Sequence, residues 1–267
     1  MDDWRSYDGV AASYERANGP RLGAPARDLI ALIGDLPAGA RVLDVGTGTG
    51  ITAHAAAEAG AALVVGLDPS VPMLATGAAS RDGFRPVAGR AIDLPFRDGT
   101  FDLVTGSFVL NHFTKYTTAL FDIVRVTKHG GRLALSTWGP GVDELQRTWR
   151  ELVSTVVGDD MLRDVLQQAV PWEDRFAQRG PLEEALIDAG LQHVRTEPMR
   201  YRFVYSLEEF LDGREAAATG RFVRSMLGED GWASFRERAR AVFADRFSDP
   251  LNDFREVILA VATKPAY

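Results

Sequence analysis

The chain has no cysteine among its 267 residues, which excludes disulfides, thiolate metal sites, cysteine nucleophiles and thiol redox relays. It also lacks any apolar run near the roughly 18 to 20 residues of a membrane-spanning helix. Its first residues, MDDWRSYDG, are too acidic and polar for a signal peptide. We therefore expect a cytoplasmic protein with no membrane partner.

Positive charge is scarce as well. The formal net charge is −7, and the basic residues are scattered along the chain. A nucleic-acid partner would favour a basic face, so the composition argues against one and favours a neutral or positively charged small ligand. No group of histidine, aspartate and glutamate shows convincing ligand spacing, and we expect no metal.

What the chain does have is a regular alternation of strand-like and helix-like segments. Short apolar runs predict strands at 41–45, 62–68, 85–89, 101–108 and 132–138, separated by helices. The helix after the fourth strand is expected to start at Thr117 and to end at the glycine pair 130–131. Such alternation predicts an α/β fold with right-handed crossovers and a doubly wound, mostly parallel sheet.

After residue 140 the pattern becomes mainly helical. We predict one domain over 1–267, made of an N-terminal helical lid (1–35), a cofactor-binding core (36–140), a helical lid insertion (141–180), a return to the core (181–206), a second helical insertion (207–250) and a last strand (251–267). Insertions at the carboxyl edge of such a sheet usually cover its cleft.

A glycine loop follows the first strand, in VLDVGTGTG (42–50). The dinucleotide pattern G-x-G-x-x-G would need glycine where Ile51 stands, which disfavours a dehydrogenase. The spacing is instead D-x-G-x-G-x-G, formed by Asp44, Gly46, Gly48 and Gly50. Glycines at these positions let backbone N–H groups approach a ligand closely.

At these residues the chain resembles the class I S-adenosylmethionine (SAM) methyltransferases, in the small-molecule branch of the ubiquinone/menaquinone-biosynthesis C-methyltransferases (methyltransferase type 11). The resemblance continues through VVGLDPSVPMLATGA, GRAIDLPFRDGTFDLVTGSFVLNHF and VRVTKHGGRLALSTW, in the family's order. It implies a seven-stranded Rossmann-like sheet with an antiparallel last strand and helical lids. It also implies SAM as cofactor and S-adenosylhomocysteine (SAH) as product.

Asp68 ends the second strand, where a carboxylate can accept both ribose hydroxyls; the alternative is a turn residue before Pro69. Met73 lines the adenine slot or packs in the core. One departure from the family is Arg90, where relatives commonly carry an aspartate that meets the adenine amine. The backbone at Ala91 and Ile92, or Asp93, would then carry that contact. The expected cofactor-binding residues are Asp44, Gly46, Thr47, Gly48, Gly50, Asp68, Pro69, Met73, Ala91, Ile92, Ser107 and Tyr14.

SAM chemistry requires mainly alignment and desolvation of the acceptor. His112, after the fourth strand, is the candidate catalytic base, and its alternative is a histidine packed beside two phenylalanines. The expected substrate-binding residues are Tyr7, Asn111, His112, Trp138, Trp149, Trp172 and Tyr201, although any single tryptophan is also a plausible core residue.

These features predict a methyltransferase acting on an O, N or C atom of a small, mostly apolar metabolite in secondary metabolism, as a monomer or homodimer. A SAM-binding enzyme that catalyses cyclisation or rearrangement on the same fold is the alternative. A macromolecular methyltransferase is disfavoured by the acidic balance and by SFVLNHF after the fourth strand. Fold analogy does not identify the acceptor.

Overall fold

The computed structural model describes residues 5–267, so residues 1–4 of the expected N-terminal lid lie outside the described part. Within it, seven strands form one sheet in the order β3-β2-β1-β4-β5-β7-β6. The strands are β1 Arg41–Val45, β2 Leu63–Asp68, β3 Arg85–Ala88, β4 Phe101–Ser107, β5 Thr127–Trp138, β6 Gln192–Tyr205 and β7 Leu251–Thr263.

Strands β3, β2, β1, β4 and β5 pair in parallel, and β7 runs antiparallel to both β5 and β6. This confirms the predicted α/β sheet and its antiparallel last strand. The strand order reverses between β1 and β4, which places the ligand cleft of such a fold outside the carboxyl ends of these two strands.

The helices over 5–267 are α1 Ala11–Ile33, α2 Ile51–Glu58, α3 Val71–Ser80, α4 Tyr116–Val126, α5 Glu144–Val157, α6 Asp159–Ala169, α7 Glu173–Phe176, α8 Arg179–Asp188, α9 Leu207–Ala216 and α10 Ala218–Arg246. Two 3-10 turns span Asp8–Val10 and Leu110–His112. No helix in the described range combines the length and hydropathy that crossing a membrane requires.

Local capping explains where several helices begin. The Ser70 hydroxyl accepts from the Met73 N–H at 3.3 Å, and Pro72 lies in the first turn of α3. The Asp143 carboxylate accepts from the Gln146 N–H at 2.9 Å at the start of α5. Each contact satisfies a donor that a helix N-terminus otherwise leaves unpaired.

The predicted end of the helix that follows β4 is wrong. Helix α4 ends at Val126, and Gly130 and Gly131 lie inside β5. The strand starts early because Thr127 pairs with Phe101 of β4 before a shift in register. The amine of Lys264 donates to the carbonyl oxygen of Thr127 at 2.8 Å. A contact with the far end of the chain therefore helps to hold this boundary.

Apolar side chains form one cluster on each face of the sheet and a third that is built mainly by the helices after β5 and by the ends of β6 and β7. We call this third cluster the lid core. Its aromatic members are Trp149, Phe203, Tyr205, Phe210, Trp232, Phe235 and Phe243. Phe108 and Trp138 are partly buried and pack against both the lid core and the cluster on the α1 face of the sheet.

Candidate active site

The carboxylate of Asp44, near the end of β1, anchors the glycine loop between β1 and α2. This carboxylate is 1% exposed, and it accepts from the hydroxyls of Thr47 at 2.7 Å and Thr105 at 2.6 Å. Burial raises the pKa of Asp44 to about 6, although both hydroxyls favour its charged form. The loop is therefore tied to β4 through a single side chain of β1.

Gly46 could not be replaced without moving its neighbours. Its φ is +66°, and an added Cβ would lie 2.2 Å from Cγ2 of Val109. Real side chains do not approach so closely, and a residue with a Cβ is also strained at this φ. The loop and the segment after β4 thus touch, as a close approach to a shared ligand requires.

Asp68 stands at the carboxyl end of β2, beside this loop. Its Oδ2 accepts from the Gly48 N–H at 2.9 Å, and its Oδ1 accepts from the Ser70 N–H at 2.8 Å. Burial raises the pKa of Asp68. A carboxylate offers about four lone-pair directions, so both oxygens keep capacity for further donors.

An open pocket lies at the carboxyl edge of the sheet. Its lining residues are Tyr14, Leu22, Asp44, Gly46, Thr47, Ile51, Thr52, Ser107 and Phe108. Five of these were expected from the sequence, namely Asp44, Gly46, Thr47, Ser107 and Tyr14. Leu22, Ile51, Thr52 and Phe108 were missed; the position of Phe108 directly after β4 was the available signal.

The other expected cofactor residues are not among the residues that line this pocket. Met73 is 3% exposed, and its Cε is 3.2 Å from where a Cβ on Gly48 would stand. Ala91 is buried, whereas Ile92 is 39% exposed and turns toward solvent. Arg90 is exposed. Gly50 and Pro69 flank the loop and Asp68.

The N-terminal segment crosses this edge of the sheet. The Ser70 hydroxyl donates to Oδ1 of Asp8 at 2.6 Å. The ring of Tyr7 lies 5.9 Å from that of Tyr14 and 6.1 Å from that of His112, edge to face in both cases. The Arg221 guanidinium stands 4.0 Å over the Tyr7 ring, so α10 contacts the N-terminal segment here.

His112 is held as a neutral imidazole. Burial, together with the charge of Arg221, lowers the pKa of His112 to about 4, while a hydrogen bond to the Ala169 carbonyl opposes that shift. Its neighbour Asn111 is 6% exposed, and Oδ1 of Asn111 is buried without a hydrogen-bond partner among the described residues. Both residues sit in the 3-10 turn that follows β4.

The four aromatic residues expected to surround the acceptor lie in different parts of the structure. Trp149 is buried in the lid core and donates to the Thr219 hydroxyl at 3.0 Å. Trp172 donates to the Phe113 carbonyl at 2.8 Å, and the Tyr201 hydroxyl donates to Asp28 of α1 at 2.7 Å. Trp138 stacks on the lining residue Phe108 at 4.3 Å without lining the pocket itself. Trp149, Trp172 and Tyr201 each have a hydrogen-bond partner in the fold, and their part in substrate binding stays a prediction.

Within residues 5–267, no three histidine, aspartate or glutamate side chains are grouped as a metal ion would require. The close approach at Gly46 and Gly48 and the carboxylates at the ends of β1 and β2 fit an adenosyl cofactor with a positively charged amine. They do so because such a ligand needs backbone contact along one side and negative charge at the amine and the ribose.

Comparison with known proteins agrees with this geometry. A family model described as a methyltransferase domain matches residues 43–135. The chain is 38% identical to the demethylmenaquinone methyltransferase of Renibacterium salmoninarum over 143 residues, which are 50% of this chain and 60% of that protein. It is 34% identical to that of Beutenbergia cavernae over 193 residues, which are 67% of this chain and 80% of that protein.

Solved structures share the fold. The YcgJ protein of Bacillus subtilis superposes with a TM-score of 0.59 at 21% identity, covering 91% of this chain and 99% of that one. Phosphoethanolamine N-methyltransferase 2 of Haemonchus contortus, solved with S-adenosyl-L-methionine, gives a TM-score of 0.60 at 19% identity, covering 99% of this chain and 60% of that one.

The structural likeness at these identities speaks for the fold alone, and the family assignment comes from the sequence matches. The chain spans three fifths of the Renibacterium relative and four fifths of the Beutenbergia one. It belongs to the class I SAM-dependent methyltransferases, an enzyme family whose cofactor is SAM, and it resembles the quinone-biosynthesis members of that family.

Proposed function

We propose that this protein transfers the methyl group of SAM to an O, N or C atom of a small, mostly apolar metabolite. The carrying observation is the pocket at the carboxyl edge of the sheet. One side is the Asp44–Gly46 loop, and the other is formed by Leu22, Ile51 and Phe108. The helices before and after β6 in the chain form the lid core beside this pocket. Because these helices restrict access to the pocket, they favour a small acceptor over a macromolecule.

In this proposal the polar half of the pocket holds the cofactor. Asp68 accepts the ribose hydroxyls with the lone pairs that Gly48 and Ser70 leave free. Asp44 faces the methionyl amine, and the loop residues approach through their backbone. Met73, Ala91 and Ile92 border the adenine. Thr47, Gly50, Pro69, Ser107 and Tyr14 complete the proposed set. Bound SAM supplies a methyl group on a positively charged sulfur, which makes that carbon electrophilic.

The segment after β4 positions the acceptor in the same proposal. His112 is neutral at pH 7 because its pKa is lowered to about 4, and one ring nitrogen is used by the Ala169 carbonyl. The other nitrogen can therefore accept a hydrogen bond from an O–H or N–H of the acceptor. So low a pKa makes His112 a weak base, and alignment is its main role, shared with Asn111 and Tyr7.

The relatives support an acceptor with a largely apolar body, since their name points to demethylmenaquinone. A role in secondary metabolism and a cytoplasmic location are part of the proposal, as is the state of monomer or homodimer. The net charge of −7 supports the further proposal that no nucleic acid is bound.

The test is a transfer assay with SAM labelled on its methyl group, run over hydroquinones, phenols, indoles and amines. We expect label in at least one acceptor together with stoichiometric SAH. His112→Asn should lower kcat, while Trp149→Phe, changed in the lid core, should leave it near the wild-type value. Tight binding of SAM with no label transferred to any acceptor would instead favour cyclisation or rearrangement.

A further inference from the structure

A group of buried and half-buried polar side chains lies on the lid side of the pocket. We call it the lid polar cluster and define it as Gln146 of α5, Glu173 of α7, Arg214 of α9, and Asp253 and Arg255 of β7. Asp253 is 2% exposed. None of the five belongs to residues 43–135, which the methyltransferase domain model matches. The cluster is thus built by the part of the chain outside the shared core.

The cluster is one aromatic ring away from the pocket. Phe108, which lines the pocket, stacks on Trp138 at 4.3 Å, and the Arg255 guanidinium lies 4.2 Å from the centre of the Trp138 ring. Trp138 therefore contacts both a residue of the pocket lining and a residue of the cluster.

One half of the cluster is internally satisfied. With the Gln146 amide oriented so that its oxygen faces the guanidinium, that oxygen accepts from Nε of Arg255 at 3.0 Å and from Nη1 at 2.6 Å. Nη1 of Arg255 also lies 4.0 Å from Oδ2 of Asp253. Stacking and these contacts fix Arg255, which makes it a positioning residue for Asp253.

The other half is not satisfied. Oδ1 of Asp253 and Nε of Arg214 are both buried, and neither has a hydrogen-bond partner among residues 5–267. A buried polar atom left unpaired costs about 1–3 kcal/mol, so two of them in one cluster need an explanation. One is an acceptor and the other a donor.

A third unpaired atom lies toward the pocket. Oδ1 of Asn111 is buried without a partner, and the Asn111 carbonyl accepts from the backbone N–H of Trp172 at 3.4 Å. Glu173 follows directly in the chain. The Trp172–Glu173 segment thus links the turn after β4 to the lid polar cluster.

The charges in this region nearly cancel. Glu173 is placed beside Asp174, Arg150, Arg214 and Arg255. Asp253 is placed beside Arg214 and Arg255, and its carboxyl group shares a side-chain hydrogen bond with that of Asp143. Burial raises the pKa of Glu173, and burial together with Asp143 raises the pKa of Asp253 to about 7. With arginines matched by carboxylates, a ligand bearing a full charge would leave one group without a counterion.

We propose that the lid polar cluster binds a neutral hydroxyl group of the methyl acceptor, which donates to Oδ1 of Asp253 and accepts from Nε of Arg214. A hydroxyl is the small neutral group that donates and accepts at one atom. This inference rests on the proposed function, and it narrows the acceptor to an apolar body that carries a hydroxyl group.

The test is calorimetric binding to the SAH-loaded protein at pH 7 with three probes of one shape: 1-naphthol, 1-methoxynaphthalene and 1-naphthoate. We expect 1-naphthol to bind about tenfold more tightly than the methyl ether, since a buried donor and acceptor are then satisfied. The anionic naphthoate should bind no better than the ether.

Two variants locate the effect. Asp253→Leu removes the acceptor at similar volume, and Arg214→Met removes the donor while keeping a stem against Phe210. In each, the naphthol-to-ether ratio should fall to about twofold, with SAH affinity unchanged. Arg147→Met, at an exposed arginine of α5, is the matched control and should keep the wild-type ratio.

Equal binding of naphthol and its ether, no naphthol binding, or preference for naphthoate would overturn the inference, as would a ratio that survives both variants. SAH binding checks that each variant is folded; if one variant loses it, the other and the wild-type ratio decide. Loss of SAH binding or of methyl transfer in the wild type would instead strike the proposed function, so the two failures are distinguishable.

Discussion

The cofactor side and the lid side of this site treat their buried carboxylates in opposite ways. On the cofactor side, Asp44 receives two threonine hydroxyls and Asp68 receives two backbone N–H groups. On the lid side, Oδ1 of Asp253 receives no donor from the described residues. The first arrangement is preorganised and independent of any ligand. The second is complete only when something else supplies the hydrogen bond.

The difference follows the family relationship. The satisfied carboxylates lie in or beside the segment that the domain model matches, while Asp253 lies on a strand outside it. A cofactor shared by a whole family suits a fixed cradle. An acceptor that differs between members suits a surface whose hydrogen bonds are left open.

Among the variants considered, Asp68→Ala should weaken cofactor binding most strongly. It removes the proposed ribose contacts and releases the Gly48 and Ser70 amides, so we expect SAH to bind about 100-fold more weakly by calorimetry. Trp149→Phe is the control in the lid core: it should lower the free energy of unfolding by about 1 kcal/mol and leave SAH affinity unchanged. If both variants lowered SAH affinity equally, the proposed difference between the cofactor side and the lid side would be wrong.

Gly46→Ala tests whether the cradle depends on close approach. The added Cβ meets Val109 at 2.2 Å and is strained at φ +66°, so we expect about 2–3 kcal/mol of lost stability and weaker SAH binding. Adding Val109→Ala should recover part of the stability, because it removes the clash and leaves only the backbone strain. If Gly46→Ala kept the free energy of unfolding and the SAH affinity of the wild type, the loop would be able to adjust to the added Cβ, and the close approach would not be required.

The pH dependence of SAH affinity should report Asp44. Its pKa of about 6 means that the carboxyl gains a proton as the pH falls through 6, and the opposite charge offered to the methionyl ammonium is then lost. We expect affinity to be flat above pH 7 and to fall by up to about tenfold per pH unit below 6.

Asp44→Asn should bind SAH more weakly and without this pH dependence. Without ligand the sign reverses: because the folded-state pKa lies above the unfolded value, the contribution of Asp44 to stability is present below about pH 4 and is lost as the pH rises through 6. A profile identical in wild type and variant would assign the titration to another group.

Arg90→Asp should change SAH affinity least, and it tests how the cofactor side recognises adenine. It introduces the residue that the family resemblance implies at this position, but the position is exposed, so we expect SAH to bind only about threefold more tightly. Arg85→Asp, the same charge change on exposed β3, should bring no gain. No change in either variant would leave adenine recognition to the backbone near Ala91 and Ile92.

The sequence predicted the sheet and much of the pocket lining because their signals are local. Strand period, helix caps and glycine spacing each involve a few adjacent residues, and the loop with Asp44 and Asp68 follows from them. The positions of Trp149, Trp172 and Tyr201 could not be predicted in the same way. Each side chain donates a hydrogen bond to a residue far away in the sequence, namely Thr219, Phe113 and Asp28, and no spacing rule identifies such partners. For the same reason, nothing in the sequence marks Asp253 and Arg214 as one cluster.

The place of β7 has a consequence for how the protein is made. This strand follows the other six strands in the chain, yet it lies between β5 and β6. Until residue 263 has left the ribosome, β5 and β6 each keep a hydrogen-bonding edge open, and such edges invite pairing with other chains. The same strand carries Asp253, so we expect the nascent protein to complete its sheet and the lid polar cluster in one late step.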